Sequence, residues 1–190
     1  MKKNIIIASI LGGIALVCAA LIACVNMFTS EMIAKNNAKT ELETCQAIFN
    51  EYDADKSEQI EVSSETITKK VLAKDASGNE LGYLYTVTGK NSYGAITLMV
   101  AIKDDTVYQV EFLENGQSFA STVVSHVKEN YPSSKDEVIY PFIKPADTPA
   151  VGALDEATVA GIDTVCGATY GAVLVKDLVN TALADAKGGN

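Results

Sequence analysis

Arginine is missing from this chain of 190 residues; all fifteen of its basic residues are lysines. Without guanidinium groups there is no planar fork to grip a phosphate through two parallel hydrogen bonds. A phosphate-bearing ligand must therefore be held by lysine, hydroxyls, backbone amides or a covalent bond. Positive charge is scarce overall: the formal net charge is −9, and beyond residue 30 thirteen lysines face twenty-four acids. That balance excludes a duplex-binding face, since nucleic-acid binding needs clustered cations to displace counterions. Histidine occurs once, as His126. One imidazole cannot build a metal centre without partners, and His126 is expected at a surface position of a helix. Of the four cysteines, Cys18 and Cys24 sit in an apolar run, where cysteine acts as a small hydrophobe. Cys45 and Cys166 are spaced too widely for a local metal-ligand pair, so no metal is expected. Cys166 is expected to be a tolerated small residue packed beside its loop, with a Cys45–Cys166 disulfide as the lesser alternative in an oxidising compartment. Internal repeats and low-complexity segments are also absent.

What is present begins with a long hydrophobic run. No charge interrupts Ile5 to Phe28, and about 21 to 24 residues at helical rise cover ~30 to 36 Å, enough to cross a bilayer core. Lys2 and Lys3 precede the run and Glu31 is the first acid after it. The positive-inside rule then gives a short cytoplasmic N-terminus, a transmembrane anchor over residues 1–28 and an extracytoplasmic remainder. A cleaved signal peptide is the rival, but its apolar core is usually ~7 to 15 residues. Leu21-Ile22-Ala23-Cys24 also looks like a bacterial lipobox, which would make Cys24 a lipidated terminus. Val25, Met27 and Phe28 extend the apolar run past it, as a retained helix requires. Either way the domain is anchored to the cell membrane from outside the cytoplasm.

The remainder, residues 29–190, has the size of one domain with a real core. Residues 29–52 read as a helix leaving the membrane, with Met32, Ile33, Leu42, Ala47, Ile48 and Phe49 interleaved with charge. Residues 53–66 are polar, a loop or short strand. Val71-Leu72-Ala73-Lys74 leads into a hairpin-type turn at 75–79. Leu81, Tyr83, Tyr85 and Val87 alternate, as do Ile96, Leu98, Val100 and Ile102, and then Tyr108, Val110 and Phe112. The pattern predicts an antiparallel meander of about four strands. Ser118 to Asn130 reads as a helix stopped by Pro132. Pro141, Pro145 and Pro149 mark an irregular stretch before a last helix with an apolar face of Tyr170, Val173, Leu174, Leu178, Val179, Ala182 and Leu183. The expected class is α+β: an N-terminal transmembrane helix, then a twisted antiparallel sheet flanked by helices.

The chemistry concentrates where that last helix opens, at Asp163-Thr164-Val165-Cys166-Gly167-Ala168-Thr169-Tyr170. Gly167 lets backbone approach a bulky ligand. Thr169 offers a hydroxyl at a helix start, where free N–H groups and the dipole favour an anion. An esterified phosphate would be stabilised there; an ordinary helix start with a local Thr169 hydrogen bond fits the same residues.

This stretch resembles the Asp-x-x-Ser/Thr-Gly-Ala-Thr motif of FMN-binding domains in the Rnf and Nqr electron-transport families. Two further stretches are similar. Gly89-Lys90-Asn91-Ser92-Tyr93-Gly94-Ala95-Ile96 looks like the glycine-aromatic-glycine entry to a central strand in those domains. Val25 to Ile33 looks like the membrane exit of the Rnf G subunit. The resemblance implies FMN carried as a phosphoester of Thr169, installed from FAD by a separate Mg²⁺-dependent flavin transferase. Asp163, Cys166, Gly167 and Ala168 would form the recognition and phosphate-cradling loop, with Cys166 where the family usually has serine or threonine. Tyr170 is a stacking candidate or a core aromatic. Gly94 serves a turn or a close approach to the flavin.

One departure is clear. The Glu-Thr-Pro-Gly-Leu-Gly loop of those families is here Glu114-Asn115-Gly116-Gln117-Ser118-Phe119. Glu114 matches the family glutamate, and Gln117 and Ser118 offer the flavin edge hydrogen bonds with Phe119 packing nearby; alternatively Asn115-Gly116 is a turn and Gln117-Ser118 starts a helix. The implied function is an electron-carrying subunit of an Rnf-like ion-translocating ferredoxin/NAD oxidoreductase complex, beside other membrane subunits, rather than an enzyme alone. A stand-alone extracytoplasmic flavoprotein and a non-redox surface binding module remain the alternatives.

Overall fold

The computed structural model describes residues 2–133 and 151–188; Pro141, Pro145 and Pro149 lie outside the described residues. Two compact units make up the chain, Met1–Glu41 and Leu42–Asn190. The first is helix. α1 runs without a break over Lys2–Ile48, so the expected exit helix is the continuation of the apolar one. No proline interrupts it, and residues 10–39 all expose their side chains. The stretch from Ile10 is long and apolar enough to cross a membrane by length and composition. The helix stops at Ile48, four residues short of expectation, in a turn where the Tyr52 amide donates to the Phe49 carbonyl at 2.8 Å.

The second unit is built on a five-stranded antiparallel meander in sequence order. Its strands are β1 (Glu58–Ile60), β2 (Ile67–Lys74), β3 (Glu80–Asn91), β4 (Gly94–Lys103) and β5 (Thr106–Asn115). The extra strand is β1, three residues in the polar stretch. α2 (Ala120–Asn130), α3 (Glu156–Gly161) and α4 (Thr169–Ala186) complete the α+β architecture. One sheet face carries Tyr85, Val87, Ile96, Leu98, Val100 and Val110 against α2 and α4. The other packs Val71, Ala73, Leu84, Met99 and Ala101 on Cys45, Ile48 and Phe49 at the end of α1.

Two expected alternations break. Leu81 is an extra residue where Ala73 pairs with Gly82 but Lys74 pairs with Glu80, and it packs with the α1 side. Tyr108 is likewise extra, since Ala101 faces Gln109 and Ile102 faces Val107. Val107 takes the core position, while Tyr108 stacks on Phe49 with ring centroids 5.3 Å apart. A bulge inserts one residue and so exchanges the faces of everything on one side of it.

His126 corrects another expectation. It is on α2 but buried, 5 % exposed, on the side that also carries Val123 and Val127. Its Nδ1 accepts from Asn130 Nδ2 at 3.2 Å, and the same amide donates to the His126 carbonyl at 2.9 Å. Cys45 is buried with its Sγ 3.7 Å from Met99 Sδ, Cys166 is exposed, and neither is in a disulfide.

Candidate functional site

Helix α4 is placed by its apolar stripe. Gly171, Ala172, Val175, Leu178, Val179, Ala182 and Leu183 are buried. This stripe differs from the expected face at its N-terminal end: Tyr170 and Val173 are exposed. The two smallest residues, Gly171 and Ala172, face inward instead, which lets α4 approach α2 closely and turns Tyr170 outward.

The loop before α4 is held at both ends. Asp155 caps α3 by accepting from the Thr158 amide at 2.8 Å. Lys176, on α4, donates to the carbonyls of Ala160 (3.3 Å) and Ile162 (2.8 Å) at the far end of α3. A cation at a helix C-terminus satisfies orphan carbonyls and opposes the dipole. Residues 163–168 therefore leave one point on α4 and return to its first turn. Gly167 makes the return with φ +85, a left-handed conformation, and its ideal Cβ position has nothing within 4 Å. The Ala168 amide and the Thr169 hydroxyl both donate to the Val165 carbonyl at 3.3 Å.

Ala168 is the N-cap of α4 and supplies no side-chain cap. The opening amides of an 18-residue helix thus lack the usual side-chain acceptor, with the positive end of the dipole behind them. Thr169 is exposed at this point. Beside it lies a recess of about 230 Å³, lined by Tyr93, Gln117, Phe119, Val123 and the run Gly167 to Gly171. None of these is an acid or a lysine, so an anion here would rely on backbone amides. The recess is smaller than the ~300 to 1,000 Å³ of a pocket that engulfs a ligand. It suits part of a ligand, with the remainder lying over the surface.

That surface is aromatic. Tyr170 is 64 % exposed, Phe119 56 % and Tyr93 43 %, and the two tyrosines stack with centroids 5.3 Å apart and planes at 28°. Such a grouping of uncovered apolar surface marks a place where something binds.

The structure brings Gly167, Ala168, Thr169, Tyr170 and Gln117 to this recess. Gln117 is buried and donates from Nε2 to Asn91 Oδ1 (3.1 Å) and to the Gly94 carbonyl (2.6 Å). Gly94 lies behind the wall with φ +137, where a side chain would collide with the Gly116 carbonyl. Ser118 braces the same turn, its amide donating to the Tyr93 carbonyl at 3.1 Å. Helix α2 starts only at Ala120, so Gln117 and Ser118 form the connection rather than the helix. Asp163 and Cys166 are exposed in the loop without lining the recess, and Glu114 is exposed on β5 opposite Thr97. Phe119 lines the recess, as expected of a residue packing near the flavin, and Tyr93, Val123 and Gly171 are lining residues that were not singled out. An aromatic next to Gly94 and a glycine one turn into α4 were the signals available.

The description "RnfG N-terminal region" matches residues 1–48, and "FMN-binding domain" matches residues 92–184. No curated protein matches the chain. The FMN-binding match contains every residue that lines the recess. Carrying an RnfG N-terminal region followed by an FMN-binding domain, the chain is an RnfG-like FMN-binding protein.

Proposed function

We propose that this protein is a single-pass membrane subunit of an Rnf-like ion-translocating complex, carrying FMN as a phosphoester of Thr169. Residues 1–28 anchor it with the N-terminus in the cytoplasm, and residues 29–190 form the extracytoplasmic flavin domain. The observation that carries the reading is the exposed Thr169 hydroxyl at the uncapped start of α4, beside the aromatic recess. It fits FMN at both ends: free amides and the Gly167 turn for a phosphate, Tyr93, Phe119 and Tyr170 for a flat apolar ring. The match of residues 1–48 to an RnfG N-terminal region favours a complex subunit over a stand-alone carrier.

Attachment is a phosphoryl transfer. Thr169 Oγ1 forms a bond to the FMN phosphorus of FAD as the pyrophosphate P–O bond breaks and AMP leaves. The recess offers no carboxylate, lysine or histidine to take the hydroxyl proton, so a separate flavin transferase supplies the base, with Mg²⁺. Bound FMN supplies one- and two-electron chemistry; the protein supplies position, burial and electrostatics. In such a complex electrons move between ferredoxin and NAD while ions cross the membrane. This chain has no charged residue from Ile5 to Phe28 and conducts no ions itself.

The test is peptide mass spectrometry and in-gel flavin fluorescence on the chain co-expressed with a flavin transferase, beside Thr169→Ala. The expected result is an FMN adduct on the Thr169 peptide and none in the variant. No adduct despite an active transferase would end the covalent reading.

A further inference from the structure

We infer that Asn91 is the positioning residue of the flavin site, fixing the first turn of α4 to the β3–β4 turn and to Gln117. The inference rests on the reading of Thr169 as the flavin carrier for its functional meaning, though the clamp itself can be tested on the flavin-free chain.

The argument starts from what α4 lacks. A side-chain cap at Ala168 would stabilise the first turn, but it would also occupy amides that a phosphate needs. The turn must therefore be held from elsewhere. Asn91 does so through a carbonyl: its Nδ2 donates to the Tyr170 carbonyl at 3.0 Å. Its Oδ1 accepts from the Tyr93 amide at 2.8 Å and from Gln117 Nε2 at 3.1 Å. One side chain thus joins three separated segments, and each contributes to the recess: Tyr93, Gln117 and Tyr170 all line it. Gln117 extends the link to the Gly94 carbonyl. The opening amides of α4 stay free while Thr169, next to Tyr170, is fixed relative to the aromatic wall.

Asparagine suits the task because its short amide both donates and accepts. Aspartate keeps the two accepted bonds and loses the donated one. Alanine loses all three. The substitutions therefore separate the two halves of the clamp.

The experiment is hydrogen–deuterium exchange on the flavin-free full chain in detergent micelles, comparing wild type, Asn91→Ala and Asn91→Asp. In Asn91→Ala, the amides of Ala172 to Leu174 and of Tyr93 are expected to exchange roughly three- to tenfold faster, the range one hydrogen bond supports. Amides of β4 from Leu98 to Ile102 keep wild-type protection. In Asn91→Asp only the α4 turn accelerates, while Tyr93 stays protected. On flavin-loaded protein, the visible circular dichroism of the flavin is expected to fall in Asn91→Ala. Unchanged exchange at α4, acceleration spread evenly through the sheet, or an unchanged flavin signal would each overturn the assignment. A wild-type chain that takes no flavin would remove the flavin reading, and the exchange pattern would still decide whether Asn91 holds the turn.

Discussion

Gly171 of α4 lies against Val123 of α2, and a Cβ built on the glycine would stand 2.5 Å from Val123 Cγ2. Alanine in a helix usually gains about 1 kcal/mol over glycine. Here the overlap forces the helices apart, and overpacking costs about 1–3 kcal/mol. Gly171→Ala is expected to destabilise the domain by up to about 2 kcal/mol, the overlap outweighing the helix gain, read from urea unfolding. Adding Val123→Ala makes room, so the double variant should be more stable than the sum of the single effects predicts.

Gly167 presents the opposite case, with open space but a left-handed backbone. The penalty for an L side chain in that conformation is about 1–2 kcal/mol and has no steric partner to relieve it. Gly167→Ala is expected to slow transfer of FMN to Thr169 by roughly five- to thirtyfold, the same energy expressed as a rate. Gly167→Asn should recover much of the loss, because asparagine visits this region more readily. Initial rates of flavin attachment with a purified transferase distinguish the two.

His126 makes stability depend on pH. Burial pushes its pKa below the usual 6.5; nearby Glu129 opposes the shift and Lys176 reinforces it. Protonating Nδ1 would also set a donor against the Asn130 amide nitrogen. The unfolded chain then takes up a proton near pH 6.5, while the folded chain resists until lower pH. This contribution to stability is constant above that value and falls as the pH drops through it, by at most about 1.4 kcal/mol per pH unit. Urea midpoints between pH 5 and 8 should show the decline in wild type and less of it in His126→Gln.

Asp185 ties the end of α4 to the sheet. Its Oδ2 accepts from Lys70 Nζ at 2.6 Å and from the Tyr85 hydroxyl at 3.0 Å. The Tyr85 side chain is fully buried, so removing its acceptor leaves a buried hydroxyl unpaired. Asp185→Ala is expected to cost about 2–3 kcal/mol, and Asp185→Asn, which keeps an acceptor, about 1 kcal/mol. Burial, then the bond to Asp185, pushes the Tyr85 pKa far above 10. The unfolded chain ionises first, so stability contributed by Tyr85 is lost as pH rises above about 10. Chemical unfolding at pH 8 and 11 tests the direction.

Much of this architecture was legible in the sequence. Ile96, Leu98, Val100 and Ile102 alternate and all face one core, because β4 is an interior strand and the extra residues at both of its register shifts, Leu113 and Tyr108, lie on β5. The helix at Thr169 was readable from residue types alone, whereas Gly167 was read as a point of close backbone approach and proves to be a left-handed turn with open space around it. Leu81 and Tyr108 were misplaced because a bulge is decided by the partner strand's register, which periodicity within one strand cannot report. His126 was misplaced because its burial depends on how α2 seats against its neighbours. The recess was half legible: Thr169 has a motif, but Asn91, Val123 and Gly171 acquire roles only when segments far apart in sequence meet.

The sheet order has a further consequence, for the sequence of events in folding. Each strand pairs with its immediate predecessor, so the meander closes through short loops with little entropic penalty. Helix α4 instead reaches back over β5 and β4 to β3, where Leu174 Cδ1 lies 2.7 Å from an ideal Cβ on Gly89. Its docking closes a longer loop than any of the strand pairings does. The recess has no existence until that step, since its two sides are carried by segments that only then meet. If FMN is attached at Thr169 as proposed, its loading would read out completed folding, and a chain trapped with α4 undocked would present the threonine but not the site.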